Sequence, residues 1–205
     1  DRCFKQIIGE IDRLTQLLSE LVNFSRPERH NFKPNDLRET MQGVITLVEG
    51  IAKKQGITIK TDFAPHLPPV LYEPSLIKQA FLNLMTNAIE AMPSGGRVEI
   101  SIALLPAAGC VRVTIKDTGS GIPPELLPKV MAPFFTTKEY GTGLGLAVTR
   151  QIIVEGHGGR LWLESRVKEG TTVYVELPIF FPRGGELAGL READETEESA
   201  SCPTA

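Results

Sequence analysis

Lys116-Asp117-Thr118-Gly119-Ser120-Gly121-Ile122-Pro123 is the stretch that decides the fold, read together with Gly141-Thr142-Gly143-Leu144-Gly145-Leu146 further along the chain. The first follows an alternating run, Cys110 to Lys116, which reads as a strand delivering one carboxylate to a loop with two glycines. A buried acceptor there sits beside backbone that can approach a ligand closely. The second is a triple-glycine turn opening an apolar helix, Leu144 to Val154, whose first N–H groups lack intrahelical partners and can meet phosphate. The pair points to a purine at one end and phosphates at the other. It is not a dinucleotide-binding turn: the spacing is GxGxG rather than GxGxxG, and no strand precedes it.

Working upstream, Glu73-Pro74-Ser75 open a long helix to Met92 with a wide apolar surface that includes Leu76, Ile77, Ala80, Phe81, Leu84 and Met85. Asn83 and Asn87 lie four apart on one face among these residues. Asparagine is a mediocre helix former and costly to bury unsatisfied, so the two need a ligand or strong internal partners. Amide oxygens suit Mg²⁺, which also keeps water and substrate phosphate oxygens; the alternative is that both amides cap neighbouring loops. Asp117 carries the same choice, between accepting from an exocyclic amine such as adenine N6 and bracing a tight turn. Between the two loops, Ala132-Pro133-Phe134-Phe135-Thr136-Thr137-Lys138-Glu139-Tyr140 reads as a flap anchored by aromatic contacts. Lys138 either reaches a phosphate from there or sits in solvent.

The flanks alternate or repeat in recognisable ways. Ile7, Ile11, Leu14, Leu18 and Leu21 are spaced as a coiled-coil or helix-bundle stripe, ending at Ser25-Arg26-Pro27. Such a helix should pair with another helix or a second copy of the chain, or else pack on its own domain. Residues 27–34, bracketed by prolines, suit a hinge. Asn35 or Asp36 caps the next helix, whose expected buried face is Leu37, Met41, Val44, Ile45, Leu47, Val48 and Ile51, with Gly56 ending it. Ile57–Phe63, Arg97–Ile102, Arg160–Ser165 and Val173–Leu177 read as further strands, the second pairing antiparallel with Cys110–Ile115. His157, between glycines with no acid or thiol near it in sequence, is a structural turn residue.

Composition narrows the class. The 205 residues are 41% hydrophobic and 23% charged, enough for one good core plus extensions. The net charge of −3 is concentrated at the end: residues 183–205 hold six acids and two arginines, whereas residues 1–182 hold 19 acids against 20 Lys and Arg. That near-neutral body lacks a nucleic-acid footprint. Cys3, Cys110 and Cys202 are odd in number and lack CxxC spacing, so neither a disulfide framework nor a zinc site is indicated, in keeping with a cytoplasmic domain. No apolar run reaches the roughly 18 residues of a membrane span, so no membrane contact is expected of this stretch. Starting at Asp1, the chain reads as a piece of a longer protein, and its last residues as an acidic disordered tail.

In order and spacing these signals resemble the catalytic, ATP-binding domain of sensor histidine kinases, in the gyrase, chaperone, histidine kinase and MutL superfamily. Asn83-Leu84-Met85-Thr86-Asn87-Ala88 is similar to its N box, Asp117-Thr118-Gly119-Ser120-Gly121 to the G1 box, Pro133-Phe134-Phe135-Thr136-Thr137-Lys138 to the F box, and Gly141 to Leu146 to the G2 box. Gly170-Thr171-Thr172 matches the final glycine-threonine element, and Asn87 to Pro93 with the short lid is most similar to the nitrogen-regulation type. The resemblance implies an α+β fold, a two-layer sandwich of a mixed sheet on helices (Bergerat type), preceded by one long helix of a dimerisation hairpin. The implied division is 1–26 for that helix, 27–34 for the hinge, 35–182 for the ATP-binding domain and 183–205 for the tail.

The resemblance also implies the site. Asp117 would hold the adenine amine and Asn87 the Mg²⁺ with Asn83 beside it. Gly141, Gly143 and Gly145 would face the phosphates, with Phe134 and Phe135 anchoring the lid. The remaining ATP contacts would come from Gly119, Gly121, Ile122, Thr136, Thr137, Lys138, Thr142, Leu144, Leu146 and Thr171, with Asn83 and Lys138 taking part in transfer. Hydrolytic members carry a glutamate base where this chain has Asn83, which favours transfer to a protein acceptor. The expected acceptor is a histidine, then an aspartate of a response-regulator receiver domain, within a homodimer formed through the hairpin. None of His30, His66 and His157 has the acceptor context, so this chain by itself is expected not to label itself. An anti-sigma-type serine kinase and a non-catalytic nucleotide sensor remain the alternatives.

Overall fold

The computed structural model describes residues 31–138 and 141–179; the expected N-terminal helix, the first half of the hinge and the acidic tail lie outside them. Strand β1 (Lys33–Asn35) leads into helix α1 (Leu37–Lys54), whose cap is Asp36: its carboxylate accepts the Arg38 N–H at 2.8 Å. Gln55 ends the helix and Gly56, at φ +70°, turns the chain into β2 (Ile57–Phe63). Strand β3 (Val70–Tyr72) precedes α2 (Pro74–Glu90), which Glu73 caps by accepting from Ser75 and Leu76 N–H, with Pro74 in the first turn. Strands β4 (Gly96–Leu105) and β5 (Cys110–Asp117) form a hairpin. After the two loops come α3 (Gly145–Arg150), continued by a π-helical turn over Gln151–Gly156, then β6 (Arg160–Arg166) and β7 (Gly170–Pro178).

The main sheet has the order β2-β4-β5-β7-β6, with β2 and β4 parallel and the other pairs antiparallel. Period-two alternation sends Val98, Ile100 and Ile102 of β4, and Val111, Val113 and Ile115 of β5, to one face, each at most 1% exposed. The three helices cover that face, and Met41, Val44, Ile77, Phe81, Met85 and Ile153 join the strand residues in one core. This is the expected two-layer sandwich of a mixed sheet and helices. No helix among the described residues is long and apolar enough to cross a membrane.

Three local expectations need correction. Lys33 and Pro34, read as the end of a hinge, belong to β1, which pairs antiparallel with β3. Neither strand was apparent in the sequence, because three residues are too few to show a period, Pro34 lies inside β1, and prolines stand on either side of β3. The ribbon is held by tertiary contacts: the Asn35 amide donates to the Tyr72 carbonyl at 3.1 Å, and the Tyr72 hydroxyl lies 2.7 Å from Thr40 Oγ1. Burial pushes the Tyr72 phenol up to about 12. Leu47 and Ile51, assigned to the buried face of α1, are 54% and 56% exposed, since they lie beside the stripe Leu37, Met41, Val44, Ile45, Val48 that meets the core. The helix after the glycine turn starts at Gly145 rather than Leu144. Between the first glycine loop and the flap, Leu127–Lys129 form a 3₁₀ turn.

His157 is structural, as expected. It is 6% exposed, Nδ1 lies 2.7 Å from the Ile152 carbonyl, and Nε2 accepts the Glu73 N–H at 3.2 Å. An acceptor at Nε2 fixes the proton on Nδ1, so the ring bridges the start of α2 to the π-helical turn.

The two kinds of apolar position on this fold should separate sharply. Ile100→Ala is expected to cost about 2–5 kcal/mol, from lost burial plus a cavity, whereas Ile51→Ala should stay within about 0.5 kcal/mol. Urea unfolding of both variants measures the difference.

Candidate functional site

Strand β5 is central in the sheet and ends at Asp117, so the carboxylate emerges where the sheet meets the helical layer. Asp117 is only 5% exposed. Its Oδ1 accepts the Gly119 N–H at 2.8 Å and the Thr171 N–H at 3.2 Å, which joins the glycine loop and β7 to one atom. Burial pushes this carboxyl above its ordinary value, and the two backbone donors partly offset the rise. Gly121 turns the loop at φ +67°, where a Cβ would collide with the Arg166 carbonyl. The next residue is fixed as well: Ile122 N–H donates to Ser165 Oγ at 2.8 Å, and that hydroxyl lies 2.9 Å from Thr171 Oγ1.

Facing Asp117 across a cavity of about 610 Å³ is α2. Asn83 and Asn87 both line it, one turn apart as their spacing required. The Asn83 amide donates to the Gly145 carbonyl at 3.3 Å, so this residue braces the glycine turn as well as facing the cavity. Asn87 Oδ1 accepts from Lys138 Nζ at 2.8 Å, and the same ammonium pairs with Glu90. With side chains 42% and 47% exposed, Lys138 and Glu90 form a pair of at most about 1 kcal/mol.

The flap and the second glycine loop close the remaining sides. Phe135, Thr136, Thr137, Lys138, Gly141, Thr142, Gly143, Gly145 and Leu146 all line the cavity. Gly143 has φ +70° and a Cβ there would strike the Phe134 backbone, so the second loop packs directly on the flap. Thr142 Oγ1 accepts the Leu144 N–H at 3.3 Å.

Most of the expected site therefore converges: Asn83, Asn87, Asp117, Gly121, Ile122 and Thr171 share the cavity with the flap and loop residues. Three of the expected residues do not line the cavity. Gly119 stands behind the wall as a donor to Asp117 rather than on the surface of the cavity. Leu144 is 2% exposed and points into the core, where it anchors the second loop. Phe134, expected as an anchor beside Phe135, is 66% exposed in the left-handed region at φ +65°. The sequence reading also missed the apolar wall of Ile115, Leu126, Val130, Leu163 and Val173, and it missed Glu90 at the rim. Parity gives part of that wall: Ile115 shares a strand face with Asp117 and pairs with Val173. Among the described residues no three His, Cys, Asp or Glu side chains gather as a metal cluster. The oxygen donors at the rim are instead amides and one carboxylate, a set that suits a hard cation sharing its shell with water and ligand oxygens.

A deep apolar slot with one buried carboxylate, a polar helix face and a glycine loop defines a nucleotide-type pocket. Comparison with known proteins agrees: residues 72–180 match the family described as histidine kinase-, DNA gyrase B-, and HSP90-like ATPase, and the chain belongs to it. Sporulation kinase E of Bacillus subtilis (strain 168) is 34% identical over 176 residues, which are 86% of this chain and 24% of that kinase. The chain thus spans about a quarter of that relative's length. The catalytic domain of histidine kinase ThkA superposes with a TM-score of 0.66 at 36% identity, over 73% of this chain and 96% of that domain. ThkA in complex with the response regulator protein TrrA gives 0.74 at 32% identity, over 88% of this chain and 51% of that one. Full-length ShkA in complex with AMPPNP gives 0.76 at 25% identity, over 86% and 38%.

The raised Asp117 carboxyl makes a prediction about stability. An acid whose folded-state value lies above its unfolded one costs the fold stability once ionised, and the cost is relieved as pH falls through the raised value. Asp117→Asn keeps an oxygen for both N–H donors without the charge. Its melting temperature should equal or exceed the parent's at pH 7, with the gap closing as pH approaches 4; a lower melting temperature at pH 7 would contradict the assignment.

Proposed function

We propose that this chain is the ATP-binding catalytic part of a sensor histidine kinase, which donates the γ-phosphoryl group of ATP to a histidine on another helix of the whole protein. The observation that carries the reading is the convergence on one cavity of Asp117, the Asn83/Asn87 face and the glycine loop at Gly141–Gly145. Family membership and the AMPPNP complex of ShkA support it.

Each residue then has a task that its position allows. The Asp117 carboxylate, with Oδ1 already fixed by two N–H groups, accepts from the adenine amine. Ile115, Leu163 and Val173 pack on the faces of the base and exclude water from that hydrogen bond. Gly141, Gly143 and Gly145 bring backbone close to the phosphates, while Thr136, Thr137, Lys138 and Thr142 supply hydroxyls and a positive charge on the flap side. Asn87, with Asn83 beside it, would hold Mg²⁺, which when bound neutralises phosphate charge; an amide oxygen at the rim fits that group. Asn83 is an amide where a hydrolase needs a base, so the pocket protects ATP from water and leaves the γ-phosphoryl to an incoming imidazole. The transfer breaks the Pγ–O bond to ADP and forms a P–N bond to the histidine.

In the whole protein this reading places a homodimerising helical hairpin before residue 27, a hinge between it and the ATP-binding domain, and a receiver-domain aspartate as the final acceptor. The complex of ThkA with a response regulator protein supports the last of these. A cytoplasmic location goes with the use of ATP.

Two measurements test the proposal. Asp117→Asn should weaken ATP binding about 10- to 100-fold, the loss of one buried charge-assisted hydrogen bond, as read by fluorescence titration. Unchanged affinity would reject the purine assignment. Given radiolabelled ATP, this chain alone should stay unlabelled, whereas addition of the helix preceding it in the whole protein should yield phosphate that is acid-labile and alkali-stable. Tight ATP binding with no label in the whole protein would make it a nucleotide sensor instead.

A further inference from the structure

Asn87, Glu90 and Lys138 bear on how the site handles cations, an inference that rests on the Mg-ATP reading above. Lys138 Nζ donates to Asn87 Oδ1 at 2.8 Å and to Glu90 Oε2, residues three apart on one face of α2 at the mouth of the cavity. The ammonium thus already draws together one amide oxygen and one carboxylate oxygen. That donor pair is of the kind a small divalent cation takes when water and phosphate oxygens complete its shell. We propose that Lys138 is a built-in placeholder for the divalent cation: its ammonium and Mg²⁺ use the Asn87 and Glu90 oxygens in turn, so that Glu90 contacts the metal when the metal is bound.

The electrostatics favour exchange over coexistence. An ammonium and a divalent ion sharing the same two oxygens would stand only a few ångströms apart and repel, so entry of one expels the other. The Lys138 contact is built to yield, since both partners are nearly half exposed and one is a flexible four-carbon side chain. Expulsion does not send the charge far. The Lys138 N–H donates to Thr136 Oγ1 at 3.1 Å, within the flap segment that lines the same cavity, so a displaced ammonium stays beside the phosphates. Without metal, the ammonium at Asn87 and Glu90 supplies positive charge at the phosphate end. Nucleotide should therefore bind to the metal-free protein with only a modest loss.

The test is a titration of the chain with the fluorescent analogue TNP-ATP, in EDTA and at increasing Mg²⁺, for the parent and for Lys138→Met, Lys138→Arg and Glu90→Gln. Lys138→Met should raise the ratio of Kd without Mg²⁺ to Kd with Mg²⁺ by about threefold or more, and should lower the half-saturating Mg²⁺ concentration. Glu90→Gln should move that Mg²⁺ concentration the opposite way, and Lys138→Arg should keep the ratio near the parent's. All four proteins should melt alike, as the altered side chains are exposed. If Lys138 only touches phosphate, or only decorates the rim, the ratio stays constant in Lys138→Met and the inference fails while the ATP reading stands. If the parent binds no TNP-ATP under either condition, both fall together.

Discussion

The rest of the structure is arranged around the buried carboxylate of Asp117. One oxygen accepts from Gly119 and Thr171, so the end of the central strand, the first glycine loop and the last strand share a single atom. Without a ligand that is an expensive arrangement: desolvation disfavours the charge, and two backbone N–H bonds only partly offset it. A protein selected for stability alone would place an amide or an apolar side chain there. Keeping an acid makes sense where a ligand completes the set of donors, so the strain on this group and the purine reading of the pocket explain each other.

The cavity follows from the layering. A sheet with one face covered by helices has its strand ends open at the edge of the core, and here the polar ends of β5 and β7 meet the polar stripe of α2. The inner wall is apolar because Ile115, Val173 and Leu163, neighbours across three strands, carry the core-side face of the sheet to the edge of the cavity. The outer wall is polar because its oxygens and amides come from loops and from the edge of a helix. A base with an apolar face and a charged tail fits such a gradient. The Lys138, Asn87 and Glu90 triangle sits at the polar end of that gradient.

The glycine turn shows how the core and the site are coupled. Leu144 is driven into the core while its neighbours Gly143 and Gly145 stay at the cavity surface. The loop is therefore clamped at its centre by hydrophobic burial and left bare on either side. Asn83 adds a second clamp through the Gly145 carbonyl. Asn83 thus braces the loop and lines the cavity at once, so the bracing role its position allowed does not take it away from the pocket.

Much of this was legible in the sequence because the relevant signals are local. Alternation identified β2, β4, β5, β6 and β7, the 3.6-residue period identified α1 and α2, and Asp36, Glu73 and Gly56 marked their ends. The spacing of Asn83 and Asn87 placed them on one helix face, and the two glycine loops declared the ligand class. Period alone fixes which residues share a face, not how much of that face a neighbour covers, which is why Leu47 and Ile51 read as core and stand in solvent. The β1–β3 ribbon exists only because two short segments meet across the helix between them. Likewise Glu90 and Lys138 are 48 residues apart, and each alone is an ordinary surface charge. What the sequence determined by itself was the set of elements and the chemistry of their loops, both encoded in contacts a few residues long. Only the tertiary structure decided which faces were buried and which charges met, because those depend on the packing of segments whose sequences carry no record of each other.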